Sequence, residues 1–221
     1  MQERNLGSSG LRVSAVGIGC NNFGARINLE QTRAVIHKAF DLGITLFDTA
    51  DIYGDRGGSE TCMGQVMGDM RKEIVLATKF CMPMGDGENQ KGGSRRYIMK
   101  AVEDSLRRLK TDWIDLYQMH YPDPDTPIEE TLRALDDLVR QGKVRHIGHS
   151  NATGAQLDEA MAVSGKSKIA AFISAQDQYS LLNRRIEREV VPAIERHKLG
   201  FLPYFPLASG MLTGKHRKGV I

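Results

Sequence analysis

The chain has 221 residues, of which 41% are apolar and 26% charged, with a formal net charge of +3. At roughly 150 residues per domain this is one large domain or two small ones, long enough to bury a real core. The composition excludes a disordered tail, no apolar run approaches the length of a membrane span, and the charge is too small to argue for nucleic acid.

Short apolar runs alternate with longer helical patterns. In chain order the runs are Val13–Ile18, Ile44–Phe47, Ile74–Ala77, Trp113–Tyr117, Val144–Ile147, Ile169–Ile173 and Gly200–Leu202. They are rich in β-branched and aromatic residues and bounded by turn residues, as buried strands are. The stretches between them, about 25 to 40 residues, each have room for a crossover helix. Ile98, Val102, Leu106 and Leu109 form one helical stripe, with Arg107, Arg108 and Lys110 in a last turn that suits cations. Thr126-Pro127-Ile128-Glu129 reads as a capping box before the stripe Ile128, Leu132, Leu135, Leu138 and Val139, with Gly142 as terminator. Thr153-Gly154-Ala155-Gln156 reads as a weaker one. Repeated strand–helix units predict a parallel α/β sheet, either doubly wound or a (β/α)8 barrel.

Two phosphate-binding motifs fail. Gly17-Ile18-Gly19-Cys20-Asn21-Asn22 puts Asn22 at the third glycine of the dinucleotide fingerprint, and loop follows where a helix must start. Gly210 to His216 has three residues between its glycines, and His216 where a magnesium-binding hydroxyl is needed. The three cysteines, Cys20, Cys62 and Cys81, form no Cys-x-x-Cys, so neither a disulfide framework nor a metal cluster is expected. Residues 1–6 hold no apolar stretch of the signal-peptide kind, which makes a cytoplasmic location the expectation and the Asn151-Ala152-Thr153 sequon a chance match.

Polar residues collect at the C-terminal ends of the runs: Asp48, Lys79, His120, Ser150 with Asn151, Gln176 and Tyr204, at intervals of 26 to 41 residues. One such residue is most simply a solvated boundary group. Their recurrence, one per strand–helix unit, points to the mouth of a (β/α)8 barrel, where such ends converge.

The segment Gly43-Ile44-Thr45-Leu46-Phe47-Asp48-Thr49-Ala50-Asp51-Ile52-Tyr53-Gly54 resembles the signature of the aldo-keto reductases. The resemblance continues in order through Ala77–Phe80, Asp115–His120, Ile147–Asn151, Gln178–Arg184 and Pro206–Lys215. It implies a TIM-type barrel, a catalytic tetrad of Asp48, Tyr53, Lys79 and His120, and NADP(H)-dependent reduction of small aldehydes or ketones, with NADPH favoured and NAD not excluded. In that scheme Tyr53 donates the proton, Lys79 lowers its pKa, Asp48 keeps Lys79 charged and His120 orients the substrate oxygen. The resemblance assigns cofactor contacts to Gly19, Cys20, Asn21, Asp48, Ser150, Asn151, Gln176, Tyr204, Leu207, Ser209, Gly210 and Lys215. Ser150, Asn151 and Gln176 would hold the carboxamide, Tyr204 would stack on the ring, and Leu207–Gly210 would reach the pyrophosphate. For Lys215 a solvated cationic run is the competing reading.

Three positions depart from the pattern. Cys20 replaces the usual Thr, Asp177-Gln178 replaces Asn-Glu, and His149 stands where small residues are usual. Cys20 reads as a buried inert thiol and His149 as a packed strand residue. Two readings stay open for Met82–Ser94, a lid or a solvated loop. Phe23 and Tyr121 are candidate aromatic walls, whereas Trp113 precedes its strand and is set aside.

Seven strands are counted, not eight. The expectation is a single barrel domain over 1–221 that lacks the strand-eight region, in a piece of a longer polypeptide. Two other functional readings remain: a nicotinamide-binding regulatory or redox-sensor subunit with little turnover, and an aldolase with Lys79 as a Schiff base. No nucleic acid, membrane or metal is expected as partner.

Overall fold

The computed structural model describes residues 1–215. The first apolar run divides between two elements. Arg12–Ser14 (β2) pairs antiparallel with Glu3–Asn5 (β1), and only Gly17–Gly19 (β3) joins the main sheet. A single strand over Val13–Ile18 is therefore not formed. Ser14 Oγ accepts from the backbone N–H groups of Thr45 (3.0 Å) and Leu46 (3.1 Å), so a side chain stands in for the ladder there.

The remaining strands and α-helices are α1 (Leu29–Asp41), β4 (Leu46–Asp48), α2 (Tyr53–Val66), β5 (Val75–Phe80), α3 (Arg95–Leu109), β6 (Ile114–Met119), α4 (Ile128–Arg140), β7 (Val144–Ser150), α5 (Gly154–Ser167), β8 (Phe172–Gln178), α6 (Val190–His197) and β9 (Gly200–Tyr204). Strands β3 to β9 form one parallel sheet whose spatial order is their chain order. Such an order has no switch point, so the doubly wound alternative falls. The sheet curls as a TIM-type barrel with seven strands among the described residues. The hairpin reports the curl, because Ser14 bonds beside β4 while the Ser8 N–H donates to Lys198 O (2.9 Å) just before β9.

Leu6 and Val13 of the hairpin pack with Leu46, Ala77 and Leu116 inside the barrel and close its floor. The helices cover the outside. The predicted stripe of α3 is buried, as are Leu132, Leu135 and Leu138 of α4. Thr153 and Gln156 form the expected capping box, and Asn28 with Gln31 forms another that the sequence reading missed. Thr126 does not cap α4. Its hydroxyl donates to Asp123 Oδ2 (2.8 Å), and Pro127 occupies the N-cap position. Strand β8 begins later than the Ile169 run predicts, because the Ile169 N–H closes the end of α5 on Ser164 O (3.2 Å).

Gly64 sets the approach of α2 to α3. A Cβ there would lie 2.2 Å from Arg108 O and 2.8 Å from Leu109 C, both backbone atoms that cannot rotate away. Gly64→Ala is expected to cost about 3 kcal/mol of stability by forcing the helices apart. Gly165→Ala in α5, where a Cβ meets nothing within 4 Å, is expected to gain up to about 1 kcal/mol from helix propensity. Urea denaturation of the two variants beside the parent chain measures both.

Candidate functional site

Strand period places the site. Side chains two apart share a face, and the register sets Asp48 beside Ala77 and Lys79 beside Gln118. Lys79 is fully buried, and its Nζ donates to Asp48 Oδ2 (2.6 Å) and to Thr49 O (2.8 Å). Burial opposes its charge, but the Asp48 carboxylate and the Tyr53 phenol outweigh burial and hold the ammonium above its ordinary range. A Schiff base needs an amine free to attack, whereas the Lys79 Nζ is held on Asp48 and Thr49 and does not line the cavity, which gives the aldolase reading no support.

Tyr53 lies at the start of α2, where Gly54, Asp55, Arg56 and Gly57 all have positive φ (70°, 58°, 61° and 116°). Two of these residues are not glycine, so the turn is held from outside. Ser59 does this, with its hydroxyl on Thr49 Oγ1 (2.8 Å) and Cys20 O (2.8 Å). Glu60, fully buried, accepts from Arg108 Nε (2.7 Å) and Thr78 Oγ1 (2.6 Å). The sequence reading missed both Ser59 and Glu60. Their signal is a buried polar pair one turn into a helix, visible only once Arg108 is known to face it. Beside them Asp51 is buried and pushed up to about 8 by burial and by the Glu60 charge.

The Lys79 ammonium lies 5.1 Å from the Tyr53 ring centroid, and the His120 ring meets Tyr53 edge-on at 5.6 Å. Burial raises the Tyr53 phenol above its ordinary value, and Lys79 pulls it back only in part. The expected lowering by Lys79 is thus present as a cause but not as the outcome. Burial, then the Lys79 charge, pushes the His120 imidazole down to about 3, so it is neutral in ordinary buffers. Neutral imidazole still offers one N–H donor.

A cavity of about 1060 Å³ runs beside Tyr53 and His120, from the hairpin residues Leu6 and Val13 up between β3 and β9 to the mouth, and Lys79 does not line it. Its lining includes Gly19, Asn21, Asp48, Tyr53, His120, Ser150, Asn151, Gln176 and Tyr204. Met82, at the start of the candidate lid loop, lines it too, as do Ile52, Gln178 and Phe205, which were not foreseen. Cys20 does not face it. Its side chain is fully buried with Phe23 and Ile36 in the layer under α1, and burial drives the thiol pKa well up. Phe23 is likewise buried in that core and is no cavity wall, whereas Tyr121 lines the cavity and stacks on His120 at 5.3 Å. Trp113 lies against Arg71 and Arg145, away from the mouth as expected.

The amide-type residues are already partly engaged. Asn151, at φ +59°, donates from Nδ2 to His120 O (3.0 Å) and Ser150 Oγ (3.0 Å), and its Oδ1 accepts from Tyr204 Oη (2.8 Å). Ser150 Oγ donates to Gln176 O (2.9 Å). Asn151 therefore braces the mouth from below, a role the sequence did not suggest. Leu207, Ser209, Gly210 and Lys215 are not brought into the cavity lining. They sit on or beside the exposed turn Ala208–Thr213, where the Gly210 N–H is spent on Leu207 O (3.0 Å). His216 and the rest of the cationic run lie outside the described residues.

His149 is packed edge-on against Phe172 at 5.2 Å, with its Nδ1 buried and unpartnered, and burial pushes its pKa down to about 4. Its folded value lies below the unfolded value near ~6.5. Between these two pH values the unfolded chain binds the extra proton, so stability falls as pH falls through that window. His149→Gln has no such proton to take up. The stability of the variant relative to the parent is expected to rise steadily from pH 6.5 to pH 4, as read by paired thermal melts.

No helix among the described residues is long and apolar enough to cross a membrane. The sequence profile described as "Aldo/keto reductase family" matches residues 15–220. The chain is 38% identical to a "Probable voltage-gated potassium channel subunit beta" of Oryza sativa, covering 100% of this chain and 68% of that relative. It is 41% identical to "Uncharacterized oxidoreductase YrpG" of Bacillus subtilis, covering 99% and 70%. It is 36% identical to "L-glyceraldehyde 3-phosphate reductase" of Escherichia coli K12, covering 100% of this chain and 65% of that relative. The chain thus spans about two thirds of the length of the curated relatives it matches. With the profile covering nearly the whole barrel and the relatives aligned end to end on it, the chain belongs to the aldo/keto reductase family of oxidoreductases.

Proposed function

We propose that this chain carries the site of an NADP(H)-dependent reductase of small aldehydes and ketones. The observation that carries the reading is the grouping of a buried ammonium with a phenol and a neutral imidazole that both line one cavity. When bound, the nicotinamide supplies a hydride. The residues present fit such a group, because Ser150, Gln176 and Tyr204 line the cavity beside Tyr53 and His120, and Gln176 brings an amide whose NH₂ meets Gln118 Oε1 at 3.5 Å and whose oxygen is left for a ligand. Negative charge on the carbonyl oxygen would be met by the Tyr53 hydroxyl and the His120 N–H. Tyr53 would give its proton, while Lys79, pinned by Asp48, stabilises the phenolate left behind.

NADPH oxidation with a panel of small aldehydes tests this directly, and turnover above the uncatalysed rate is the expected result. A second reading is supported by the names of two relatives, from Oryza sativa and Arabidopsis thaliana, each a "Probable voltage-gated potassium channel subunit beta". On that reading NADPH binds tightly but turns over little, so tight binding without oxidation of any panel member favours it. The outer edges of β3 and β9 carry no strand partner among the described residues, and we place the eighth strand of the barrel between them. Active, monodisperse protein with an intact mass no greater than that of these 221 residues would sink that placement.

A further inference from the structure

We infer that Gln118 is a positioning residue that ties Asp48 to Gln176 across the top of the barrel. This rests on the reductase reading of the cavity. Gln118 is fully buried on β6, two residues before His120 and so on the same inward face. Its Nε2 donates to Asp48 Oδ1 (2.8 Å), and its Oε1 meets Gln176 Nε2 at 3.5 Å. The three side chains come from β4, β6 and β8, the alternate-strand pattern by which such barrels fill their interior in layers. Here the layer is polar.

The reach across β7 has a visible cause. Gly148 lies beside Gln118 in the register, and a Cβ there would stand 3.2 Å from Gln118 Cγ and 2.4 Å from Ser174 Oγ. Without a side chain at 148, Gln118 can span the strand between.

Chemistry then fixes the direction. An ionised Asp48 only accepts, and its other oxygen is taken by Lys79, so the Gln118 NH₂ must face Asp48. The Gln118 oxygen must therefore face β8, and Gln176 must turn its NH₂ toward it. One amide thus holds Asp48 from the side opposite Lys79 and sets which end of the Gln176 amide is free for a ligand. Of the titratable groups, Asp48 on β4 holds the Gln118 amide directly and Lys79 on β5 is its register neighbour, with none at Gly148, its neighbour on β7.

Two Gln118 variants and one pair of spectra, of the parent and of Gln176→Ala, test the inference. Gln118→Met keeps length and removes the donor. It is expected to lower kcat about 10- to 100-fold, the usual range for a hydrogen bond to a charged group, with the carbonyl KM changed less than about twofold. In Gln118→Glu the introduced carboxyl can donate to Asp48 only while protonated. Activity is expected near the parent level at acid pH and to fall as pH rises, a limb that a merely structural role would not create. In ¹⁵N NMR the Gln118 side-chain amide signal is expected to shift on Gln176→Ala. Parent-like kcat in Gln118→Met, with no new limb in Gln118→Glu, would overturn the inference. If the parent itself reduces no carbonyl, the reductase reading fails separately. The NMR pair then decides alone, and an unmoved Gln118 signal would overturn the link.

Discussion

Tyr53→Phe is expected to lower carbonyl reduction by about 10² to 10⁴-fold, the range that positioned general acids supply. The argument is geometric first. Tyr53 is the acidic hydroxyl beside both the buried Lys79 ammonium and the His120 ring on the cavity wall. The phenol is then protonated at neutral pH because burial raises it and Lys79 only partly opposes that. A donor that starts protonated and is neighboured by a fixed cation gives up its proton when the carbonyl oxygen becomes basic enough to take it. The ring contact with His120 and the packing of the turn survive the change to Phe, so NADPH affinity and melting temperature should move little. Steady-state kinetics beside cofactor titration separates the two effects. A variant within tenfold of the parent in kcat would remove Tyr53 as the donor. In the parent, reduction should decline only on the alkaline side, as the phenol ionises above its ordinary value.

Asp48→Asn is expected to destabilise the fold by about 3 to 5 kcal/mol, the cost of leaving a buried charge without its counterion. Lys79 is fully buried, and after the change only Thr49 O and the Tyr53 phenol remain near its ammonium. Asn keeps a hydrogen-bond acceptor but not the charge. Its NH₂ would also confront the Gln118 donor now held on Asp48 Oδ1. In a chain of this size that loss corresponds to a fall of roughly 6 to 20 °C in Tm. The double variant Asp48→Asn with Lys79→Met, which removes the stranded cation, should regain part of it. Thermal and urea unfolding of the single and double variants measure the coupling. Equal losses in the two would mean that the pair is no closed unit.

Some elements misled the sequence reading for identifiable reasons. Val13–Ile18 has the composition of one strand, yet Ser14 diverts its first half into the hairpin by bonding to the β4 backbone. Thr126 has the right spacing for a cap, but the Asp123 carboxylate, three residues before it, competes for its hydroxyl. Cys20 follows the first strand's glycines at the mouth end, and only the packing of α1 decides that its side chain turns outward to Phe23 and Ile36. Gln118 was readable in principle, since it shares a strand face with His120. Its two partners come from strands that no local pattern ties to it.

The sequence by itself determined the strand–helix alternation, the parallel barrel class and the residues that end at its mouth, because side-chain period and strand–helix spacing are local properties of the chain. It also carried the family, through ordered motifs spread from Gly43 to Lys215. Only the tertiary structure decided the electrostatic outcome. Whether Tyr53 is raised or lowered, whether His120 is neutral, and which amide ends face each other depend on burial and on neighbours 26 to 70 residues away. Those quantities arise from the closure of strands β4 to β9 around one interior, and no stretch of the sequence contains them alone.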